Sequence, residues 1–280
     1  MRRWAIALTA LVLGCAPPPS VRPQFSGGVV ESFIADGGNS ILVPVRVNGH
    51  VMRFILDSGA SISAITPAAA RKLGIKPYGM TPVNEVPTPI ARLDRLAVGA
   101  AEHYSLRVAV VAPPAAQRMG VVYDGILGLD VLGRYDVVVD LVDKRLGLLP
   151  MGTVARSEAK HEMARITFHP SRYGLVLMTA DVEFISIPAV LDLGAQYSLV
   201  NRAACAMGGV SVGTKTRPSQ LHVGKVDLGQ WRMLVGDLPI FTRSGLMPGP
   251  AIVLGADVFA HRTVVLAYHE RAVYVSRAGP

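Results

Sequence analysis

The hydrophobic positions of this chain fall in short runs broken by glycine and proline. Ile41 to Leu56, Leu93 to Val98 and Leu106 to Val111 are such runs early in the chain; Tyr173 to Val190, Gln220 to Leu228 and Arg232 to Ile240 follow later. Short apolar runs bounded by turn residues read as strands. Brief helices interrupt them. Thr66 before Pro67 is a capping hydroxyl followed by a residue suited to the first helical position, and Asn201 caps a second helix. Gly74 and Gly208-Gly209 stop these two helices. The expected fold is mainly β, with few short helices.

The runs repeat. Phe54-Ile55-Leu56-Asp57-Ser58-Gly59-Ala60-Ser61 has a counterpart in Ala189-Val190-Leu191-Asp192-Leu193-Gly194-Ala195-Gln196, and each is an apolar run ending in Asp-x-Gly-Ala. A second landmark, Gly125-Ile126-Leu127-Gly128-Leu129-Asp130, matches Ile252-Val253-Leu254-Gly255-Ala256-Asp257. From there the apolar triplets at Val137 and Val264, the turns at Asp143 and Glu270, and the closing runs at Leu146 and Val273 align without a gap. A constant shift over so many positions marks a duplication. The expected division is a half at 28–150, a linker at 151–164 and a second half at 165–280.

One Asp-x-Gly-Ala turn alone reads as a turn former. Two at equivalent places in duplicated halves read differently, because a pseudo-two-fold axis brings equivalent loops together. Gly59 and Gly194 let the loops approach closely. Two carboxyl groups in contact cannot both ionise comfortably, so Asp57 and Asp192 would share one proton. The ionised member then serves as base toward a water while the protonated member donates to a carbonyl oxygen. Such a pair hydrolyses an amide without metal or cofactor.

The turn Phe54 to Ser61 resembles the active-site turn of the retropepsin-like and pepsin-like aspartic proteases, and Gly125-Ile126-Leu127-Gly128 resembles their second signature. The likeness runs from Ile41 to Val275. It implies a bilobal aspartic-protease fold of two pseudo-symmetric β-barrel-like halves. It also implies endopeptidase activity on a peptide or protein substrate, with Asp57 and Asp192 as the catalytic pair. Ser58, Gly59, Ala60, Gly194 and Ala195 would support the turns. Flap hairpins are expected at Lys76 to Ala91 and Arg217 to Val226. The second turn departs from the family pattern, which has Ser or Thr after the aspartate. Ser58 can hydrogen-bond across to the opposite loop and Leu193 cannot. Two alternatives stay open: a degenerate copy that binds peptides without cutting them, and a homodimer pairing Asp57 with Asp57. Asp130 and Asp257 read as a helix cap or a structural salt bridge, and neither Asp136 nor Asp140 is assigned a catalytic role.

Composition adds compartment and narrows the partners. Half of the 280 residues are hydrophobic but only 6% are aromatic, so Val, Leu, Ala and Ile must build the core. The net charge of +8 is dispersed and no basic run is interleaved with aromatics, which argues against nucleic acid. Arg2-Arg3 followed by the apolar stretch Trp4 to Leu13 reads as a signal peptide over 1–14, too short to span a bilayer as a helix. Gly14 before Cys15 resembles a bacterial lipoprotein signal. Lipidation of Cys15, a Pro-rich tether over 15–27 and a membrane anchor facing the periplasm of a bacterial envelope follow from it. The remaining cysteine, Cys205, has no partner for a disulfide and reads as a small buried hydrophobe. No Cys/His metal cluster or phosphate-binding glycine loop is present, so no cofactor is expected, and the protein is expected to act as a monomer.

Overall fold

The computed structural model describes residues 25, 28–36, 39–83, 85–111, 122–208, 211–212 and 215–277. The expected signal segment, Cys15 and nearly all of the tether lie outside these residues. Phe25 packs beside Leu149, Val154 and Tyr274.

The fold is mainly β and is the aspartic-protease fold that the resemblance implied. In the first half, strand Ser40–Val47 pairs with His50–Leu56, which runs parallel to Gly125–Leu127. Ala64–Ile65 lies on the other side of Gly125–Leu127 and bridges it to Ala101–Val110. Strand Val86–Val98 then pairs back onto Ser40–Val47 through Arg46↔Ala97 and Val47↔Leu96, closing the sheet on itself. Leu56, Val43, Leu93 and Val108 are fully buried inside it. The second half repeats the plan. Ile185–Leu191 runs parallel to Ile252–Leu254, Leu199–Val200 bridges to Leu234–Val235, and Val176–Val182 pairs with Ser219–Val223.

A six-stranded sheet joins the halves. Its order is Val29–Ser32, Arg145–Pro150, Tyr135–Asp140, Thr263–Ala267, Ala272–Ser276 and Met163–Thr167, three strands from each copy. The seam is the antiparallel pair Val138↔Val265 and its neighbours. Val137, Val139, Val264, Val265 and Leu266 are buried, so these strands read as nearly continuous apolar runs rather than alternating ones. The segment expected as linker forms a short helix, Thr153–Arg156, and a 3-10 turn, Glu158–Glu162; the outer strand Met163–Thr167 follows directly.

Two expected elements differ. Arg232 to Ile240 is not one strand: only Leu234–Val235 pairs, and Pro239–Arg243 is helical. Pro239 offers no N–H to a ladder and suits the first turn of a helix. Arg217 to Val226 is not a flap. Ser219–Val223 is paired on both sides, and Leu221 and Val223 are fully buried. The hairpin expected over Lys76 to Ala91 does form, with Gly79–Val83 paired to Val86–Ile90 around a turn where Glu85 has φ 65°.

Candidate active site

Each Asp-x-Gly-Ala turn leaves the end of a parallel strand pair, which gives it a stiff base. Asp57 N donates to Leu127 O at 3.0 Å, and Asp192 N donates to Leu254 O at the same distance. Below them, Leu129 N donates to Ala60 O and Ala256 N to Ala195 O, both at 2.8 Å. The two turns are therefore held by the same set of main-chain bonds. Gly128 and Gly255 are needed there: a methyl group on either would lie within 3.0 Å of the backbone of the loop it faces.

Two serines, Ser63 and Ser198, complete each turn and escaped the sequence reading. Ser63 N and Oγ donate to Asp130 at 2.9 and 2.6 Å, while Ser63 Oγ accepts from Gly128 N at 3.0 Å. Ser198 repeats this with Asp257, at 2.9 Å from N and 2.7 Å from Oγ, and accepts from Gly255 N at 2.9 Å. Asp130 and Asp257 are thus serine-bonded struts rather than salt-bridge members. Burial raises both carboxyl groups above their ordinary value, and the serine bonds pull them back. The signal was available, since Ser63 and Ser198 stand at the same step after the two aspartates.

The turns meet. A methyl group on Gly59 would lie 2.5 Å from the Asp192 carboxyl carbon, and one on Gly194 would lie 2.5 Å from that of Asp57. Only hydrogen on those α-carbons leaves room for the opposite carboxyl group. Asp57 Oδ1 accepts from Gly59 N at 2.8 Å, and Asp192 Oδ1 accepts from Gly194 N at 2.9 Å. The two carboxyl groups are thus close enough to act on each other directly. Two carboxyl groups so placed cannot both ionise comfortably. Burial pushes Asp57 well above the usual carboxylate range, and the charge of Asp192 pushes it further. Asp192 is raised by burial too, but the bonds from Gly194 and Asp57 hold it lower. The pair therefore keeps one proton at a pH where a lone carboxyl group would have lost it.

The two turns are braced unequally. Ser58 Oγ donates to Leu191 O at 3.1 Å and accepts from Leu193 N at 2.9 Å, so one hydroxyl ties the first turn to both sides of the second. Leu193 returns no such bond. Its side chain is fully buried in the core that runs through both halves. Asn39 and Ser40 add contacts from the first half: Asn39 Nδ2 donates to Gln196 O at 3.0 Å, and Gln196 Nε2 donates to Ser40 Oγ.

A cavity of about 1020 Å³ is walled by Pro82, Val83 and Glu85 of the hairpin, by Ser61 and Ile62, which follow the Asp57 turn, and by Thr242 and Arg243. A smaller cavity of about 540 Å³ lies in the second half around Phe184, Cys205 and Met207, with no residue of either Asp-x-Gly-Ala turn in its wall. Neither aspartate lines either cavity, but the larger one begins at Ser61, directly after the Asp57 turn, and is walled by the flap hairpin, so it is the candidate cleft. Arg243 draws both aspartates toward ionisation. It has no repeat counterpart to flag it in sequence. Cys205 is buried, with its thiol raised by desolvation. Asp136 is fully buried and accepts from Val154 N at 2.9 Å, anchoring the helix after the first half. Among the described residues, no cluster of three or more His, Cys, Asp or Glu that could hold a metal occurs.

Comparison with known proteins agrees with this architecture. Residues 43–131 match the aspartyl protease family. That span contains Asp57, the flap hairpin and the Gly125-Ile126-Leu127-Gly128 signature. Among solved structures, basic 7S globulin from soybean superposes with a TM-score of 0.54 at 10% identity, covering 89% of this chain and 95% of that one. At that identity the likeness concerns the fold, and it extends over both halves. No curated protein sequence matches the chain.

Proposed function

We propose that this chain, protease-like in fold and matching the aspartyl protease family over residues 43–131, is an aspartic endopeptidase working through Asp57 and Asp192. The observation that supports this reading most is that each carboxyl group lies against the glycine of the opposite turn, with both raised above the ordinary carboxylate range. A water held between the pair gives a proton to the ionised member and attacks the peptide carbon, while the protonated member donates its own proton to the carbonyl oxygen. The tetrahedral intermediate then collapses. The proton taken from water passes to the leaving nitrogen, the other carboxylate recovers one from the intermediate, and the pair is restored. The flap at Gly79–Ile90 would close over an extended peptide in the cleft and exclude bulk water.

Asp57→Asn and Asp192→Asn should each reduce cleavage of a peptide library by at least about a thousandfold, an order set by loss of one member of a concerted acid–base pair. Cleavage that persists undiminished in either purified variant would refute the intramolecular pair. Leu193 favours a second reading, in which a site braced on one side binds peptides without cutting them. Saturable binding with no cleavage from the acid range to neutrality would support that reading over the first.

We further propose that the enzyme is anchored to a membrane through lipidated Cys15 and faces the periplasm, on the strength of the Leu13-Gly14-Cys15 pattern after an apolar stretch. Metabolic labelling with a radioactive fatty acid should mark the wild-type protein and not Cys15→Ala. Equal labelling of both would refute the anchor.

A further inference from the structure

We propose that Arg243 makes the cleft a reader of carboxylates, binding an acidic side chain or the terminal carboxylate of the bound peptide near the scissile bond. This rests on the peptide-cleft reading of the preceding section. Arg243 ends the short helix Pro239–Arg243, and the buried side chains of Ile240 and Phe241 fix that helix to the second half. Its guanidinium is held on a rigid base and helps to wall the cleft.

The side chain is unusual in being half-buried without a partner. Its Nε is sealed from solvent and makes no hydrogen bond, and no carboxylate of the described residues forms an ion pair with it. Two exposed arginines of the same protein are paired, Arg202 with Asp237 at 2.8 Å and Arg95 with Glu102. A donor kept out of water with no acceptor is costly, and the cost disappears when an acceptor arrives. A carboxylate suits it best, because the planar guanidinium presents donors in a fork that matches two carboxylate oxygens.

The catalytic aspartates do not use up this capacity. Arg243 acts on both at a distance, as the smallest of the influences on each, and neither is within ion-pair contact. Arg172 adds a second positive charge to the same wall, stacked on Tyr173 at 4.7 Å. The acid of that wall is Glu85, on the flap turn. With two arginines against one glutamate, the described wall carries net positive charge and favours an anionic group.

The test uses neutral octapeptides with blocked ends, in which a single Glu or its isostere Gln is walked through every position, plus one peptide with a free C-terminal carboxylate. One position of Glu, or the free carboxylate, should raise kcat/KM about tenfold over its neutral partner, as expected for a charge-assisted pair. Arg243→Gln should bring that ratio to about one, Arg243→Lys should keep part of it, and Glu85→Gln should increase it. Which peptide shows the gain identifies the carboxylate that is read. No gain at any position, or a gain that survives Arg243→Gln, would overturn the proposal. Should the wild type cut none of the peptides, the endopeptidase reading fails by itself. Fluorescence-anisotropy binding of the same peptides to Asp192→Asn then decides about Arg243, by the same tenfold preference and its loss in the Arg243→Gln, Asp192→Asn double variant.

Discussion

Asp57 and Asp192 are held where neither would ionise readily alone, and that position has a cost in stability. Both carboxyl groups sit above the ordinary value of 3.8, Asp57 through burial and the charge of Asp192, Asp192 through burial. The folded chain therefore binds more protons than the unfolded one from that value up to the raised ones, and linkage makes stability fall as pH rises through this window. Asp57→Asn removes one of the two carboxyl groups. Its melting temperature at neutral pH should exceed that of the wild type by roughly 2–4 °C, the shift that about 1 kcal/mol produces in a chain of this size. The difference should vanish below pH 3.8, where the wild-type pair is neutral in both states. Calorimetry across pH checks this, and a variant less stable than wild type at neutrality would contradict it. For activity, the working state carries one proton, so kcat/KM should be bell-shaped. Its alkaline limb should lie above the ordinary carboxylate range.

At the scale of elements, what aims the aspartates is a repeated unit of parallel strand pair, turn and serine strut. Ser63 Oγ bonds Asp130 and accepts from Gly128 N, and both bonds are sheltered from water. Removing the hydroxyl leaves the buried Gly128 N–H without its partner and takes one bond from the Asp130 carboxyl group, which keeps the one from Ser63 N. Ser63→Ala should destabilise the protein by about 2–3 kcal/mol in denaturant titration, the cost of an unsatisfied buried donor plus a lost bond to a charged group. Ser61→Ala, two residues earlier and exposed, should change stability by less than about 0.5 kcal/mol. Equal effects of the two substitutions would mean that the strut is not structural. The flap shows how the halves diverge at this scale. The first half has a long hairpin there, whereas in the second Ser219–Val223 is locked between two neighbours and only the short pair Ser211–Val212 and Lys215–Thr216 occupies the preceding segment.

At the scale of the molecule, the two halves are one cooperative object. The seam Tyr135–Asp140 against Thr263–Ala267 lies at the centre of the six-stranded sheet, and one core runs through both copies. Residues 28–150 expressed alone would present Tyr135–Asp140 as a long apolar edge, which pairs with whatever strand is available. Sedimentation should find that fragment as dimers or larger species, with no stable monomer. A folded, monomeric fragment would show that the seam is not what holds the half together.

The duplication, the β class and the two Asp-x-Gly-Ala turns were legible because they are local and written twice: short apolar runs, a turn at the same place in each, a glycine where close approach demands it. Those same features implied that Asp57 and Asp192 face each other. Other features depend on contacts between residues far apart in the chain. The Ser63 and Ser198 struts were visible as a repeat, yet their purpose appears only when the loop after each turn folds back on Asp130 and Asp257. Arg217 to Val226 read as a flap in sequence, yet Ser219–Val223 is paired with Leu221 and Val223 buried, because its partner Val176–Val182 lies about forty residues away in the chain. Arg232 to Ile240 looked like a strand until Pro239 set a helix there, and that helix carries Arg243 into the cleft. Local pattern determined where the two Asp-x-Gly-Ala turns are. Tertiary packing decided what surrounds them, since burial, charge and the facing wall belong to the assembled halves and to no single stretch of chain.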